Sequence, residues 1–218
     1  MKIIIYGIGD FAKQMHYYFN NDSPFDVVAF AADKQYISES ELDGKPIVAF
    51  EDVQKTYPPH SYQMFVAVGY ASMRQKRIMY EKAKHLGYTF VNYISTSANI
   101  DKQCEIGNNN AILQNAQIEP FVKIGNNNII WSSVNICHDA IIHNHCFLAC
   151  QSLIGGFTTI GDNCFVGFNA TIIQRIHLET ETAVGAKSLV LNHSKPFSKL
   201  IGSPAICKST HKDTGIQI

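Results

Sequence analysis

The sequence predicts two folded parts, a small parallel α/β sheet at the N-terminus and a β-solenoid in the C-terminal half. The solenoid follows from a branched aliphatic residue that recurs every six positions, without a slip, between positions 100 and 190. A six-residue period matches neither the 3.6-residue spacing of an α-helix nor ordinary strand alternation. The α/β sheet follows from strand-like and helix-like segments that alternate before position 94. We therefore expect domains at 1–94 and 95–218.

Each six-residue segment is interpreted as one flat side of a three-sided coil. The aliphatic residue and the small residue four positions later both point inward, and coils stack roughly 4.8 Å apart because one side alone buries too little. Residues eighteen apart should then lie one above the other, and the segment IGNNN at 106–110 indeed recurs at 124–128. Its glycine and asparagine are expected to form tight corners, because they tolerate a left-handed backbone.

The composition indicates a globular protein with ample core, at 46% hydrophobic residues and a formal net charge of zero. No global field would attract nucleic acid or an anionic membrane. No apolar run has the length of a membrane span, and residues 1–20 lack the apolar core of a signal peptide. We expect a cytoplasmic protein without nucleic-acid or membrane partners.

The cysteines are predicted to be reduced thiols. Cys104, Cys146 and Cys164 fall on the inward small position of their segments, which indicates core packing. No C-x-x-C pair occurs, so neither a zinc site nor a disulfide framework is indicated.

The N-terminal elements follow from apolar runs and turn residues. Lys2–Tyr6 is typical of a buried strand and is followed by a glycine turn and a helix that ends near residue 19. Further strands are predicted at 25–32, 63–68 and 89–94, with a helix at about 72–86 between the last two. This alternation predicts a Rossmann-type sheet.

The Gly7-x-Gly9 turn is half of a dinucleotide-binding fingerprint, with Ala12 where the third glycine would stand. Glycines allow the backbone to approach a pyrophosphate, and a helix N-terminus supplies N–H groups. Asp33, at the end of the second strand, is placed to bind a ribose hydroxyl or a base. The alternative is a tight strand-to-helix turn without a ligand. The domain is long enough for only one of the two mononucleotide-binding halves of a full NAD site. It is therefore expected to bind the nucleotide part of a substrate and not a redox cofactor.

The six-residue segments, of the form [LIV]-G-x-x-[STAV]-x, resemble the hexapeptide-repeat acyltransferases. The resemblance implies a left-handed parallel β-helix and a homotrimer with clefts between subunits. The glycine turn before such a helix resembles one subfamily, the sialic-acid O-acetyltransferases and the N-acetyltransferases of nucleotide-linked 4-amino-4,6-dideoxy sugars. It implies acetyl-CoA as co-substrate and a nucleotide-linked amino sugar as partner, with no metal.

The same resemblance implies which residues bind the nucleotide sugar. The glycine turn would hold the phosphates, the end of the second strand would hold the base or ribose, and the end of the third strand would line the approach of the sugar. These residues are Gly7, Gly9, Asp10, Phe11, Ala12, Asp33, Lys34, Gly69 and Tyr70.

His138 is the predicted general base, and Asp139 is predicted to orient it. The pair matches a family motif of histidine followed by an acid. An imidazole can take the proton of an attacking amine near neutral pH, and a carboxylate can fix its tautomer. The alternative is a solvated histidine on a solenoid face.

Gly156 follows His138 by eighteen positions, so it should lie one coil further along the solenoid. Its N–H is predicted to stabilise the oxyanion of the thioester. The alternative is a glycine needed only for a corner.

The resemblance also implies where acetyl-CoA binds. Pantetheine would contact mostly backbone, Lys187 would meet phosphates, and the turn at 202–205 would lie near the adenine. The predicted donor-binding residues are Gly155, Gly167, Phe168, Gly185, Ala186, Lys187 and Pro204.

His143 and His145 raise the question of zinc. His143 stands where equivalent segments carry Gly107, Gly125 and Gly161, so a corner is expected to carry a ring. The spacing of His138 and His143 resembles that of two zinc ligands in a related β-helix family, the gamma-class carbonic anhydrases. That resemblance implies a third histidine well upstream, and the solenoid before His138 contains none, so no metal is predicted.

These observations predict an N-acetyltransferase that uses acetyl-CoA and acts in cell-surface glycan synthesis. Two alternatives stay open: an O-acetyltransferase of the sialic-acid type, and a non-catalytic trimeric scaffold.

Overall fold

The structure is a computed structural model that describes residues 1–217, and these form two compact units. The first unit comprises Met1–Gly69 and Ile78–Tyr93. The second comprises Tyr70–Arg77 and the residues from Ile94 onward. Within residues 1–217, no helix combines the length and the apolar character needed to cross a membrane.

The first unit contains the predicted sheet. Its strands lie in the order β3-β4-β2-β1-β5, parallel except for a β3–β4 hairpin. The elements are β1 Lys2–Tyr6, α1 Asp10–Asn21, β2 Asp26–Ala32, β3 Glu41–Leu42, β4 Lys45–Ala49, α2 Val53–Thr56 and β5 Gln63–Val66, with 3-10 turns at Lys34–Tyr36 and Phe50–Asp52. Helix α3, Met73–His85, begins in the second unit and continues in the first from Ile78 onward. Strand β1 is buried from Ile3 to Tyr6, which explains its continuous apolar run.

The predicted strand at 89–94 was wrong in extent. Only a bridge between Met64 and Phe90 and the short strand β6, Tyr93–Ile94, are present. Val91 and Tyr93 are buried, so the apolar pattern of this segment reflects its burial and not a continuous series of strand hydrogen bonds. The third predicted strand also ends earlier, at Val66.

The solenoid in the second unit is a parallel β-helix with three faces. The first face has the order β22-β19-β16-β13-β10-β7, and the second has β20-β17-β14-β11-β8. The third contains β9, β12, β15, β18 and β21, extended by β23 and β24. The strands are β7 Asn99–Ile100, β8 Glu105–Ile106, β9 Ala111–Ile112, β10 Gln117–Ile118, β11 Lys123–Ile124, β12 Ile129–Ile130, β13 Asn135–Ile136, β14 Ile141–Ile142, β15 Phe147–Leu148, β16 Leu153–Ile154, β17 Thr159–Ile160, β18 Phe165–Val166, β19 Thr171–Ile172, β20 His177–Leu178, β21 Ala183–Val184, β22 Leu189–Val190, β23 Ser198–Gly202 and β24 Ala205–Thr210.

The eighteen-residue stacking rule is confirmed. Ile136 pairs with Ile118 on the preceding coil and with Ile154 on the following coil. The recurring aliphatics form one core with small residues such as Ala140 and Cys146 between them. Cys164 packs in the same core and Cys104 packs against it, as predicted for the inward small position.

The corners lie two positions later than the sequence suggested. The residue three positions after each aliphatic from Ile106 to Val184 has a left-handed backbone, as at Asn109, Asn127 and His145, with φ of 56°, 57° and 64°. Gly107 and Gly125 are not among these residues. A Cβ at Gly107 would lie 2.7 Å from the Gly125 carbonyl oxygen, so these glycines instead allow close approach of the next coil.

Candidate active site

His138 and Asp139 lie at the corner that joins the first face to the second. The backbone N–H of His138 donates to Glu119 Oε2 at 2.8 Å, and that of Asp139 donates to the Pro120 carbonyl at 3.1 Å. Asp139 has a left-handed φ of 59°, a conformation in which aspartate is enriched. The two side chains are 52% and 39% exposed. The preceding coil thus fixes the backbone while both side chains stay accessible.

The His138 imidazole is hydrogen-bonded to Asp139. Its Nδ1 lies 3.0 Å from Asp139 Oδ2. An ionised carboxylate only accepts hydrogen bonds, so the neutral ring carries its proton on Nδ1. The Nε2 lone pair then remains to accept a proton from a bound substrate.

Gly156 lies beside the His138 ring, where the eighteen-residue rule predicted it. A Cβ at this position would stand 3.0 Å from both Cε1 and Nε2 of His138. The Gly156 carbonyl accepts a bond from the Arg175 N–H, whereas the Gly156 N–H has no acceptor among the residues described here. An N–H with these properties is suited to a developing oxyanion. Its φ is not left-handed, so a corner does not explain this glycine.

Phe157 also contacts His138 and was missed by the sequence analysis. The rings meet edge to face, with centroids 5.2 Å apart and planes at 87°. Arg175 Cζ lies 4.5 Å from the Phe157 centroid on the next coil. The available signal was an aromatic residue at a corner position, which was not recognised because the corners had been assigned to the glycines.

The predicted donor-binding residues lie mainly near another corner. Val166 and Val184 pair on the third face, which places Gly167 and Phe168 beside Gly185 and Ala186. Lys187 forms the corner from the third face to the first and donates its N–H to the Phe168 carbonyl at 2.8 Å. A Cβ at Gly167 would lie 2.6 Å from the Ala186 nitrogen, so that glycine is needed for coil stacking.

Two predicted donor residues lie apart from that group. Gly155 is on the first face beside Gly156, and a Cβ there would stand 2.4 Å from the Gln174 nitrogen. Pro204 lies in the turn between β23 and β24, after a cis peptide bond from Ser203. Within the chain, the first face separates the Lys187 corner from the His138 corner.

The glycine turn of the first unit brings two segments of the backbone close together. Gly7 has a φ of 139°, and a Cβ there would stand 2.5 Å from the Ala67 carbonyl oxygen. Gly9 caps the N-terminus of α1, and Asp10 begins the helix. Ala12 is buried and donates its N–H to the Gly9 carbonyl, which removes it from the predicted phosphate contacts.

Asp33 is engaged within the first unit. The Tyr6 hydroxyl donates to its Oδ1, and Lys82 Nζ lies 2.9 Å from its Oδ2. Burial alone would raise the pKa of Asp33, but the bonds from Tyr6 and Lys82 bring that pKa below its usual value. The Asp33 side chain is only 13% exposed, and both of its carboxylate oxygens already accept hydrogen bonds. It is therefore less available to bind a ribose hydroxyl than the sequence suggested.

Lys34 and Tyr70 present side chains to solvent. The Lys34 backbone N–H donates to Glu51 Oε2 at 3.1 Å, and its side chain is exposed. Tyr70, in the second unit, is partly exposed, and its ring packs 4.8 Å from that of Phe147. Gly69 is half-buried at the end of the first unit's Met1–Gly69 segment.

The expectation that His143 occupies a corner was wrong. The left-handed residue is His145, which is buried and lies 2.9 Å from the Asn127 side-chain amide through Nδ1. His143 instead lines a shallow groove of about 420 Å³ on the second face, with Lys123 and Gly125. In residues 1–217 no group of three or more His, Cys, Asp or Glu side chains is arranged to hold a metal ion.

Two protein families match the chain. Residues 2–82 match the family model described as the PglD N-terminal domain. Residues 90–197 match the one described as the GMPPB C-terminal domain.

Solved structures of acetyltransferases share the whole architecture. PerB from Caulobacter crescentus, in complex with CoA and GDP-perosamine, is 24% identical, with 96% of this chain and 98% of that chain covered and a TM-score of 0.85. A histidine-to-alanine mutant of GDP-perosamine N-acetyl transferase from the same organism is 22% identical, with 96% and 97% covered and a TM-score of 0.86. The acetyltransferase domain of PglB from Neisseria gonorrhoeae FA1090 is 19% identical, with 94% and 98% covered and a TM-score of 0.82.

At these identities the likeness shows the fold. The predicted resemblance to the hexapeptide-repeat sugar acetyltransferases is confirmed at that level. The chain has a Rossmann-like N-terminal part followed by a left-handed parallel β-helix.

Proposed function

We propose that this protein is an N-acetyltransferase that moves acetyl from acetyl-CoA to the 4-amino group of a nucleotide-linked 4-amino-4,6-dideoxy sugar. The observation that carries the proposal is the geometry of His138, with Nδ1 3.0 Å from Asp139 and the ring against Gly156. Support comes from the shared fold of PerB, which was solved with CoA and GDP-perosamine. The product would serve cell-surface glycan synthesis.

In the proposed reaction the amine of the sugar attacks the thioester carbonyl carbon. His138 Nε2 takes the amine proton as the C–N bond forms, and Asp139 stabilises the imidazolium that results. The Gly156 N–H donates to the oxyanion. The C–S bond then breaks, and the proton passes from His138 to the CoA thiolate. The amine is the nucleophile, so the step needs no acyl-enzyme.

The binding sites are proposed on the same grounds. The glycine turn at Gly7 and Gly9 would receive the pyrophosphate on the N-terminus of α1. The exposed residues Phe168 and Ala186 would line the path of pantetheine. We propose a cytoplasmic homotrimer in which acetyl-CoA lies along the seam between subunits.

The first test is an acetylation assay with acetyl-CoA and dTDP-, UDP- and GDP-linked 4-amino-4,6-dideoxy sugars, with free sialic acid as the hydroxyl acceptor. We expect N-acetylation of at least one amino sugar. His138→Ala should lower kcat/KM by about a hundredfold or more, because the general base is lost. His143→Ala, on the second face, is the control and should stay near the wild-type value.

Three outcomes would contradict the proposal. Acetylation of sialic acid alone would indicate the O-acetyltransferase. Wild-type activity in His138→Ala would show that His138 is not the general base. Binding of nucleotide sugar without any acetyl transfer would indicate the scaffold.

A further inference from the structure

The corner that carries Asp139 differs from the other corners of the solenoid. Successive coils place Phe121, Asp139, Phe157 and Arg175 there, all with left-handed φ between 58° and 65°. The other two corners carry mostly small or polar residues, with asparagine recurring. A left-handed backbone is rare for a bulky residue, and such outliers cluster at functional sites. Both phenylalanine rings are also exposed, at 57% and 45%.

The two phenylalanines share a backbone conformation but not their contacts. Phe157 donates its N–H to the His138 carbonyl at 3.1 Å, and its ring meets the imidazole and lies under Arg175. Phe121 has no ring contact within residues 1–217. Of the two phenylalanines with a left-handed backbone, Phe157 is the one that contacts the proposed base, so Phe121 is a natural control.

We infer that Phe157 is a positioning residue for His138. Its ring holds the imidazole in the orientation that bonds Asp139, and it keeps the Arg175 guanidinium away from the Asp139 carboxylate. The kinetic consequences rest on the proposed function, whereas the orientation of the ring does not.

The separating role follows from the stacking of the coils. Asp139 and Arg175 occupy the same corner two coils apart, a distance of about 10 Å. An extended arginine side chain spans most of that distance, and the Phe157 ring lies on the coil between them. Without the ring, Arg175 can pair with Asp139. A charged pair of this kind competes with the bond from His138 Nδ1.

The kinetic test compares Phe157→Ala with Phe121→Ala, which remove the same ring from the same kind of corner. Phe157→Ala should lower kcat roughly tenfold, with both KM values within about twofold, because the base is misoriented while the ligands still bind. Phe157→Tyr should restore kcat, and Phe121→Ala should leave it unchanged. Adding Arg175→Gln to Phe157→Ala should recover at least about a third of the lost activity, because the competing cation is gone.

Equal kcat losses in Phe157→Ala and Phe121→Ala would overturn the inference, as would a fall in Tm large enough to account for the loss. If Arg175→Gln recovers no activity in the Phe157→Ala background, Phe157 does not act by keeping Arg175 away from Asp139.

An independent test reads the tautomer of His138 by ¹⁵N NMR, with the signal assigned from a His138→Gln variant. The wild-type ring should carry its proton on Nδ1, and Phe157→Ala should raise the share of the Nε2–H form, unlike Phe121→Ala. An unchanged tautomer in Phe157→Ala would overturn the inference even if the enzyme is active. The expected change in a protein that acetylates no amino sugar would uphold it while the proposed function fails.

Discussion

At the residue scale, the space beside His138 is set by the missing side chain of Gly156. The position of a Cβ there is 3.0 Å from both Cε1 and Nε2 of the ring, which is closer than ordinary van der Waals contact. The carbonyl of Gly156 is already used by Arg175, so the backbone has little freedom to move aside. The imidazole would have to shift instead.

Gly156→Ala should therefore lower kcat about tenfold or more, although the N–H proposed for the oxyanion is retained. Steady-state kinetics with both substrates would measure this. Gln174→Ala, one coil further along at the equivalent position, is the matched control and should stay near wild type. A wild-type kcat in Gly156→Ala would mean that the ring needs no glycine beside it.

The site residues that depend on the repeat were predictable, and those that depend on ring contacts were not. Parallel coils keep a fixed register, so a count of eighteen positions from His138 predicts that Gly156 is its neighbour on the next coil. Phe157 was missed because the six-residue pattern locates the core aliphatics, whereas the left-handed position must be seen in the backbone. Asp33 was expected to bind a ribose hydroxyl or a base, and only the fold reveals its bonds to Tyr6 and Lys82.

At the scale of the elements, hydrogen bonds between asparagines on successive coils explain why the segment IGNNN recurs. The Asn108 N–H donates to Asn126 Oδ1, the Asn126 N–H to Asn144 Oδ1, and the Asn144 N–H to Asp162 Oδ1, each within 2.9 Å. Each side chain thus accepts a bond from the N–H of the preceding coil, at a bend where the strand ladder stops. Satisfied N–H groups of this kind stabilise stacked coils.

Within the second unit, α3 places a buried lysine, Lys76, beside Asn127, the residue that follows Asn126 of this ladder. Lys76 Nζ donates to the Asn127 carbonyl, and the Asn127 side-chain amide donates back to the Lys76 carbonyl at 3.3 Å. Burial lowers the pKa of Lys76 to about 7. In the unfolded chain a lysine titrates near pH 10.4. Between these values the unfolded chain binds a proton that the folded chain does not, so stability should rise as pH increases from 7.

Lys76→Met should remove that dependence. From pH 7 to 9 the free energy of unfolding of wild type should gain about 2 kcal/mol relative to Lys76→Met. Urea unfolding at several pH values measures the difference, and taking it between two proteins cancels histidine titrations common to both. Lys84→Met, an exposed lysine on the same helix, should retain the wild-type slope. Parallel curves for wild type and Lys76→Met would show that Lys76 is charged in the folded protein at neutral pH.

At the scale of the whole molecule, the solenoid places the predicted base and the predicted donor path at different corners. His138 lies between the first and second faces, whereas Lys187 lies between the third and first. In a cyclic trimer each subunit contacts its two neighbours through two different surfaces. Unlike corners of neighbouring subunits can therefore meet at each interface. A shared site would then join His138 of one copy to Ala186 of another.

Subunit complementation tests this arrangement. His138→Ala lacks the base, and Ala186→Trp fills the proposed path of pantetheine, so each variant alone should have little activity. Coexpression should restore about a quarter of the wild-type rate, because three in four random trimers are mixed and each has one seam with both residues intact. Size-exclusion chromatography with light scattering should show about three times the chain mass of 24.3 kDa. If the site lies within one subunit, every site in a mixed trimer carries one of the two changes, and coexpression restores nothing.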